Sequence, residues 1–274
     1  MAETNIHPTA IVDKGAQLGA GVNIGPFCTV GPEVVLGDRT RLISHVVLMG
    51  ATTLGEDCTV YPNAVLGGPP QNTKHKGGRT TLEIGRNCTI REGVTFHLGT
   101  DTSRGKTTVG NDGNFLAYCH VAHDCDIGNN VTMANGALLG GHCELGDHVI
   151  MGGMTAVHQF TRIGHHAFIG GGSALGGDVI PFGIVSGNRA MLRGLNVVGM
   201  KRAGMARSDI LNLRKAVRTI FKPGNEVTAN LEEARQEFAG SALVVEVIEF
   251  IENRGKRYLC VPPLGTGGDP DDQF

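Results

Sequence analysis

Through the first two thirds of this chain, apolar residues recur every six positions. Counting from Ile6, positions 12, 18, 24, 30, 36, 42, 48, 54, 60 and 66 hold only Val, Leu or Ile. The count resumes at Ile84, Ile90 and Phe96, and again from Val109 through Leu175. All 26 such positions are apolar in a chain whose apolar content is 41%, so chance does not produce the pattern. A period of six matches neither the 3.6 of a helix nor a heptad. It matches very short strands joined by sharp turns, three to a coil, stacked as a parallel β-solenoid with coils about 4.8 Å apart. Residues two before each apolar position, such as Ala10, Ala16, Val22 and Cys28, share its inward face. Glycine follows 15 of the 26 positions, which the sequence alone attributes to easing tight turns.

Two interruptions leave the phase intact. The repeat breaks between Leu66 and Glu83, around Pro69-Pro70-Gln71-Asn72, and between Phe96 and Thr108. Both are expected as loops extruded from an unbroken solenoid, at about 68–83 and 99–108, and such loops commonly carry function. The repeat ends near Pro181, and helical periodicity follows. Ser208 or Asp209 is expected to cap a helix reaching Phe221, with Leu211, Leu213, Val217, Ile220 and Phe221 as its apolar face. Thr228 and Ser241 are expected to cap two more. The chain thus reads as a mainly β solenoid over 1–190, a helical domain over 191–260 that covers the open end, and a flexible tail over 261–274.

Composition narrows the functional classes. A formal charge of −2 gives no global reason to expect a nucleic acid partner. The seven cysteines form no C-x-x-C pair, which argues against a disulfide framework or a zinc ribbon; six of them occupy inward hexad positions and read as small core residues. No apolar run is long enough to span a membrane, and the first residues lack signal-peptide character, so a cytoplasmic protein is expected.

Advancing one face per hexad places the hexads at 66, 96, 121, 139, 157 and 175 on a single face, from which both loops leave. His97, His123, His142, His158 and Gln159 fall there, and His120 precedes its corner. The next-coil equivalent of His123 is Gly141, which leaves space and a backbone N–H beside the imidazole. His7, His45, His148, His165 and His166 read as ordinary surface histidines. The face cluster suits either of two chemistries. His120-x-x-His123 with a neighbour could hold zinc, or a neutral imidazole could act as general base on a hydroxyl. Spacing alone does not choose.

The blocks Tyr118-Cys119-His120-Val121-Ala122-His123-Asp124-Cys125, Gly152 to Phe160 and Asn196 to Arg202 resemble the bacterial UDP-N-acetylglucosamine O-acyltransferases that begin lipid A synthesis. The resemblance covers almost the whole chain. It implies a left-handed parallel β-helix, a homotrimer with sites between neighbouring solenoids, and no metal or other cofactor. It also implies transfer of a 3-hydroxyacyl group from acyl carrier protein to the glucosamine 3-position. Under it His123 is the general base, Asp124 its orienting partner and Gly141 N–H a donor to the thioester oxygen. On an extended strand, however, the adjacent side chains of His123 and Asp124 diverge. Asn72 and Lys74 take sugar-contact positions, while His97, His120, His142, His158 and Gln159 line the cleft. Asn196 and Arg202 contact the nucleotide end, and Gly171, Phe168 and Met191 shape the acyl-chain floor. Three departures stand out: Asn72 where many members carry Asp, Val198 where many carry Glu, and Ala203 where a second Arg is usual. The first suggests altered sugar recognition, extending to N-acylation of a 3-amino sugar, and the others imply that nucleotide contacts are supplied differently. The basic residues from Lys201 to Lys222 suit either a solvated helix face or steering of an acidic carrier protein.

Overall fold

The computed structural model describes residues 3–263. Among them, 28 strands, most of two residues, form three sheets of 11, 9 and 8 strands in which every third strand is a neighbour until the last two strands of the first sheet. Asn5 pairs with Asn23, Asn23 with Arg41 and Arg41 with Thr59, so an uninterrupted coil takes 18 residues. The result is a left-handed parallel β-helix. From Asn23–Ile24 onward most strands bury the inward residue and turn its neighbour out, as in Thr29–Val30 and Arg41–Leu42. A continuous core therefore runs along the axis from Val22 and Ile24 to Val185.

Glycine has a different role from the expected one. At the corners the left-handed conformation is adopted mainly by other residues, among them Phe27, Arg39, His45 and Asp57, with φ between 52 and 59°. The glycines after the apolar positions serve close approach between coils. A Cβ at Gly25 would stand 1.8 Å from the Ile43 carbonyl oxygen, and one at Gly37 would stand 2.5 Å from Glu56 N. The inward cysteines are buried as expected, and they are more than apolar filler. Cys58, Cys125 and Cys143 point their thiols at the carbonyls of Gly85, Gly140 and His158 at 3.1–3.3 Å. Cys260, outside the repeat, is also buried, with Sγ 3.4 Å from the Gly177 carbonyl.

The first sheet continues through Gly183–Ser186 and ends in an antiparallel hairpin with Met191–Leu195. The boundary expected at 190/191 falls in this hairpin. Four helices follow: α1 (Val197–Arg202), α2 (Arg207–Ile220), α3 (Val227–Glu237) and α4 (Ala242–Glu252). The sequence did not announce α1. Its cap is Asn196, whose Oδ1 accepts the Gly199 N–H at 2.9 Å. The expected caps of the other helices are not made. Helices α2 and α3 begin earlier, after Ala206 and Glu226, and Ser241 precedes α4 without a side-chain cap bond. Nor does Leu211 belong to the buried face of α2; it is exposed, and Ile210 takes that place.

The chain returns to the solenoid after α4. Asp178, fully buried, accepts from Arg162 Nε at 2.9 Å and Arg257 Nε at 3.2 Å, while its backbone bridges to Tyr258 and Cys260. Of the expected tail, residues 264–274 lie outside the described residues.

Candidate active site

The second sheet stacks Val65–Gly68, Thr95–His97, His120–Val121, Leu138–Leu139 and Ala156–Val157, in register except for a shift between Leu66 and Gly68. Both loops leave from its edge, over residues 69–80 and 98–105, and re-enter at Thr81–Ile84 and Lys106–Val109 of the third sheet. They are pinned together by Asp101. Its carboxylate accepts the N–H groups of Lys76 and Gly78 at 2.8–3.2 Å and lies 3.1 Å from His75 Nδ1. Those backbone donors hold the Asp101 carboxyl below its ordinary value.

The second loop is pinned in turn to the solenoid at Asp124. The Thr100 N–H donates to Oδ1 at 2.9 Å and the Thr100 hydroxyl to Oδ2 at 2.7 Å. Asp124 N–H donates to Thr107 Oγ1 at 2.8 Å. Asp124 sits at a corner with φ of 60°, and this turn folds its side chain back toward its neighbour. His123 Nδ1 consequently lies 2.8 Å from Asp124 Oδ2, although strand alternation would have sent the two apart. Both residues are buried.

These contacts assign the protons of His123. The carboxylate, already receiving two donors from Thr100, accepts the Nδ1–H and leaves a lone pair on Nε2. Asn72 returns from the first loop to meet it: Asn72 Oδ1 accepts the Lys74 N–H at 2.9 Å, which turns the amide NH2 toward His123 Nε2, 3.4 Å away. Loop one, Asp101, Thr100, Asp124, His123 and Asn72 thus form a closed circuit. Above the imidazole, the absent side chain of Gly141 makes the room it needs, because a Cβ there would stand 2.6 Å from His123 Cε1. Among the described residues nothing accepts from the Gly141 N–H.

Other imidazoles complete the cluster. His142 stacks on Phe160 with centroids 4.4 Å apart, meets His123 edge-on at 5.0 Å and lies 3.3 Å from Ser103 Oγ through Nδ1. His120 Nδ1 lies 2.8 Å from Thr95 Oγ1, and its ring meets that of His97 edge-on at 4.9 Å. Burial, then the charges of His120 and His123, lowers His97 to about 4, and its buried Nδ1 has no partner among the described residues. Burial likewise lowers His120 and His142. The residues that pin the site, Thr95, Thr100, Asp101, Ser103 and Thr107, were missed by the sequence reading. Threonine beside a loop carries no distinctive spacing, and only the coil register shows which turn it faces.

His123, Asp124 and His142 bring metal-ligand atoms within 4.8 Å of one another. This is not the His120-containing set that spacing suggested, and the Asp124 carboxylate in it already accepts Thr100 and His123.

The remaining expected site residues lie elsewhere. Lys74 is exposed on the first loop. His158 and Gln159 are exposed one coil below Gly141, with His158 Nδ1 3.0 Å from the Gln159 carbonyl oxygen. His158 lines a cavity of about 430 Å³ with Met191, Asn188 and Tyr258. Asn196, Arg202 and Phe168 line another of about 790 Å³ on the outer face of the first sheet, together with Val198 and Ala203. Both polar ends of Asn196 are occupied, by Gly199 N–H and the His166 carbonyl, so within one chain it is a clamp for α1. Phe168, Gly171 and Met191, expected to share an acyl-chain floor, do not meet in one chain. Phe168 is on the first sheet, Gly171 on the corner after it, and Met191 in the terminal hairpin.

A family model described as UDP N-acetylglucosamine O-acyltransferase, domain 2, matches residues 178–260. The acyl-(acyl-carrier-protein)–UDP-N-acetylglucosamine O-acyltransferase of Mesorhizobium japonicum is 62% identical over 273 residues, covering 99% of this chain and 98% of its own length. That of Bartonella bacilliformis is 54% identical over 262 residues, 96% of each chain. The solved UDP-N-acetylglucosamine O-acyltransferase of Moraxella catarrhalis superposes with a TM-score of 0.88 at 38% identity, covering 93% of this chain and 99% of its own. With sequence and coil geometry agreeing from end to end, this chain belongs to the UDP-N-acetylglucosamine O-acyltransferase family.

Proposed function

We propose that this protein transfers a 3-hydroxyacyl chain from acyl carrier protein to the glucosamine 3-hydroxyl of UDP-N-acetylglucosamine, in the cytoplasm, as the first step of lipid A synthesis. The observation that carries the mechanism is the hydrogen bond from His123 Nδ1 to a buried carboxylate whose other contacts are all donors. It leaves Nε2 as the base. A sugar hydroxyl attacks a thioester well only as its proton leaves, and Nε2 takes that proton while the new C–O bond forms. The carbonyl oxygen gathers negative charge and accepts the free Gly141 N–H. As the C–S bond breaks, the imidazolium returns its proton to the departing thiolate, and Asp124 stabilises the cation in between.

One chain does not complete the site. Phe168 lies on the first sheet, with Asn196 and Arg202 beside it at the cap and end of α1, whereas His123 lies at the corner of the second and third, and a homotrimer unites these faces between neighbours. Lys74, His97, His120, His142, His158 and Gln159 then line the sugar and acyl path, and Gly171 leaves room at its floor beside Phe168 and Met191. Incubating the protein with UDP-N-acetylglucosamine and a panel of 3-hydroxyacyl carrier proteins, read by mass spectrometry, tests the reading. Product is expected, and His123→Ala is expected to lower kcat about 10²–10⁴-fold with the oligomer intact. Near-normal turnover by that variant overturns the mechanism.

A second acceptor is favoured by Asn72. An anionic residue beside the acceptor would hold a 3-amino group as ammonium, which is not nucleophilic, while a neutral amide does not. Comparing kcat/KM on matched 3-amino and 3-hydroxy nucleotide sugars decides between them; a clear preference for the hydroxyl sugar rejects the amine reading.

A further inference from the structure

The cavity on the first sheet is lined by His166, one end of a hydrogen-bonded chain that none of the expected site residues explains. Its floor is apolar, made by Ile150, Phe168 and Ile184, and Arg202 stands at its edge. The two positions where the family's usual charges are absent, Val198 and Ala203, face this same space. His148 and His166 supply imidazoles there instead.

His166 is not a loose surface histidine. Its ring lies between those of His148 and Phe182, with centroids 4.5 and 5.5 Å away and planes tilted by 30 and 28°. Its carbonyl accepts from Asn196 Nδ2 at 2.9 Å. Its Nδ1 faces His165 Nδ1 at 2.8 Å, and the other nitrogen of His165, Nε2, is hydrogen-bonded to Glu246 of α4. Two ring nitrogens at that distance share one proton. In the neutral pair Glu246 accepts the His165 Nε2–H, so His165 Nδ1 carries a lone pair and the shared proton belongs to His166 Nδ1. The tautomer of His166 is then fixed, and its Nε2 is an acceptor with no partner among the described residues. Burial, with His148 and His165 as neighbours, lowers the His166 pKa, in keeping with a neutral ring.

We infer that His166 Nε2 reads the nucleotide base, accepting the ring N–H of uracil, with His165 and Glu246 as positioning residues that keep it an acceptor. The inference rests on the UDP-sugar reading above. An N1-linked uracil has a single N–H, N3–H, flanked by two carbonyl oxygens, whereas cytosine presents a lone pair at N3. A fixed acceptor therefore selects uracil and leaves cytosine facing it lone pair to lone pair, the kind of mismatch that discriminates strongly in a site built for a hydrogen bond.

Calorimetric titration of the full chain with UDP, CDP and N3-methyl-UDP tests this. The unmodified protein is expected to bind UDP at least about ten-fold more tightly than either analogue. His166→Phe, which preserves the ring stack, is expected to weaken UDP about ten-fold while leaving CDP unchanged, so that the ratio collapses toward one. Glu246→Leu is expected to lower the UDP/CDP ratio in part, a readout that a merely structural role would not move. Discrimination that survives His166→Phe, or an unmodified protein that binds CDP as well as UDP, overturns the inference alone. A protein that binds no UDP overturns the UDP-sugar reading together with it.

Discussion

Replacing Asp124 by Asn removes a charge without changing shape, and the local geometry dictates where the amide must go. Oδ1 accepts the Thr100 N–H, a backbone donor that cannot become an acceptor; Oδ2 accepts the Thr100 hydroxyl and His123 Nδ1, both of which can. If the amide NH2 took the Oδ1 place, two donors would face each other in a buried site, at a cost of about 1–3 kcal/mol. The NH2 therefore takes the Oδ2 place. The Thr100 hydroxyl rotates to accept, and His123 Nδ1 is forced to accept as well. That moves the imidazole proton to Nε2, where the base lone pair was. Under the proposed mechanism, loss of the base lone pair together with loss of the carboxylate behind it predicts a fall in kcat of about 10²–10⁴-fold. The KM for the nucleotide sugar should change little, because Asp124 is buried behind His123. Steady-state acyl transfer with a thermal melt as the folding control measures this. A variant that folds and retains kcat within about three-fold of the parent would refute the tautomer argument.

Three further outcomes follow from the geometry of the solenoid and its site. Gly141→Ala places a Cβ 2.6 Å from His123 Cε1, and the ring cannot retreat without losing Asp124 or striking His142; turnover should fall on the order of 10²-fold with little change in Tm. Asp178→Ala strips the buried side of Arg162 of its partner and should cost about 3–5 kcal/mol, read by urea unfolding at constant protein concentration, with the chain's return to the solenoid loosened. His97 binds its proton near pH 4 when folded and near the ordinary histidine value of about 6.5 when unfolded, so between those limits the unfolded chain holds more protons. Stability should therefore fall as pH drops through that window, His120 and His142 adding in the same direction, and His97→Gln should flatten the slope; equal unfolding midpoints at pH 4.5 and 7 in the parent would contradict it.

The solenoid was legible because its signal is redundant. Each apolar residue from Ile6 to Leu175 repeats the same statement, and the face on which His97, His123, His142 and His158 gather followed from counting alone. What counting missed lies at the corners. Asp124 and His123 meet because a left-handed φ at Asp124 cancels strand alternation, and alternation is the rule the sequence reading had to use. Thr100 and Asp101 were invisible for a different reason: a loop residue acquires its partner from the coil it lands on, across 24 residues for Thr100 and Asp124. The helical caps failed because Ser208, Asp209 and Thr228 lie inside helices that packing extended by a residue or more toward the N-terminus.

The thiols of the repeat carry one more consequence. Cys28, Cys58, Cys88, Cys119, Cys125 and Cys143 are spread along the axis, each buried in its coil, with Cys119 and Cys125 on adjacent faces of the same one. A reagent reaches any one of them only when that coil opens. Their alkylation rates, resolved residue by residue in the native protein, would form an axial profile of local breathing. Fraying from the N-terminal coils would label Cys28 first, while the coils clamped by the loops around Cys119 and Cys125 would label last. The chain thus carries, in its native sequence, a set of clocks for how its own staircase comes apart.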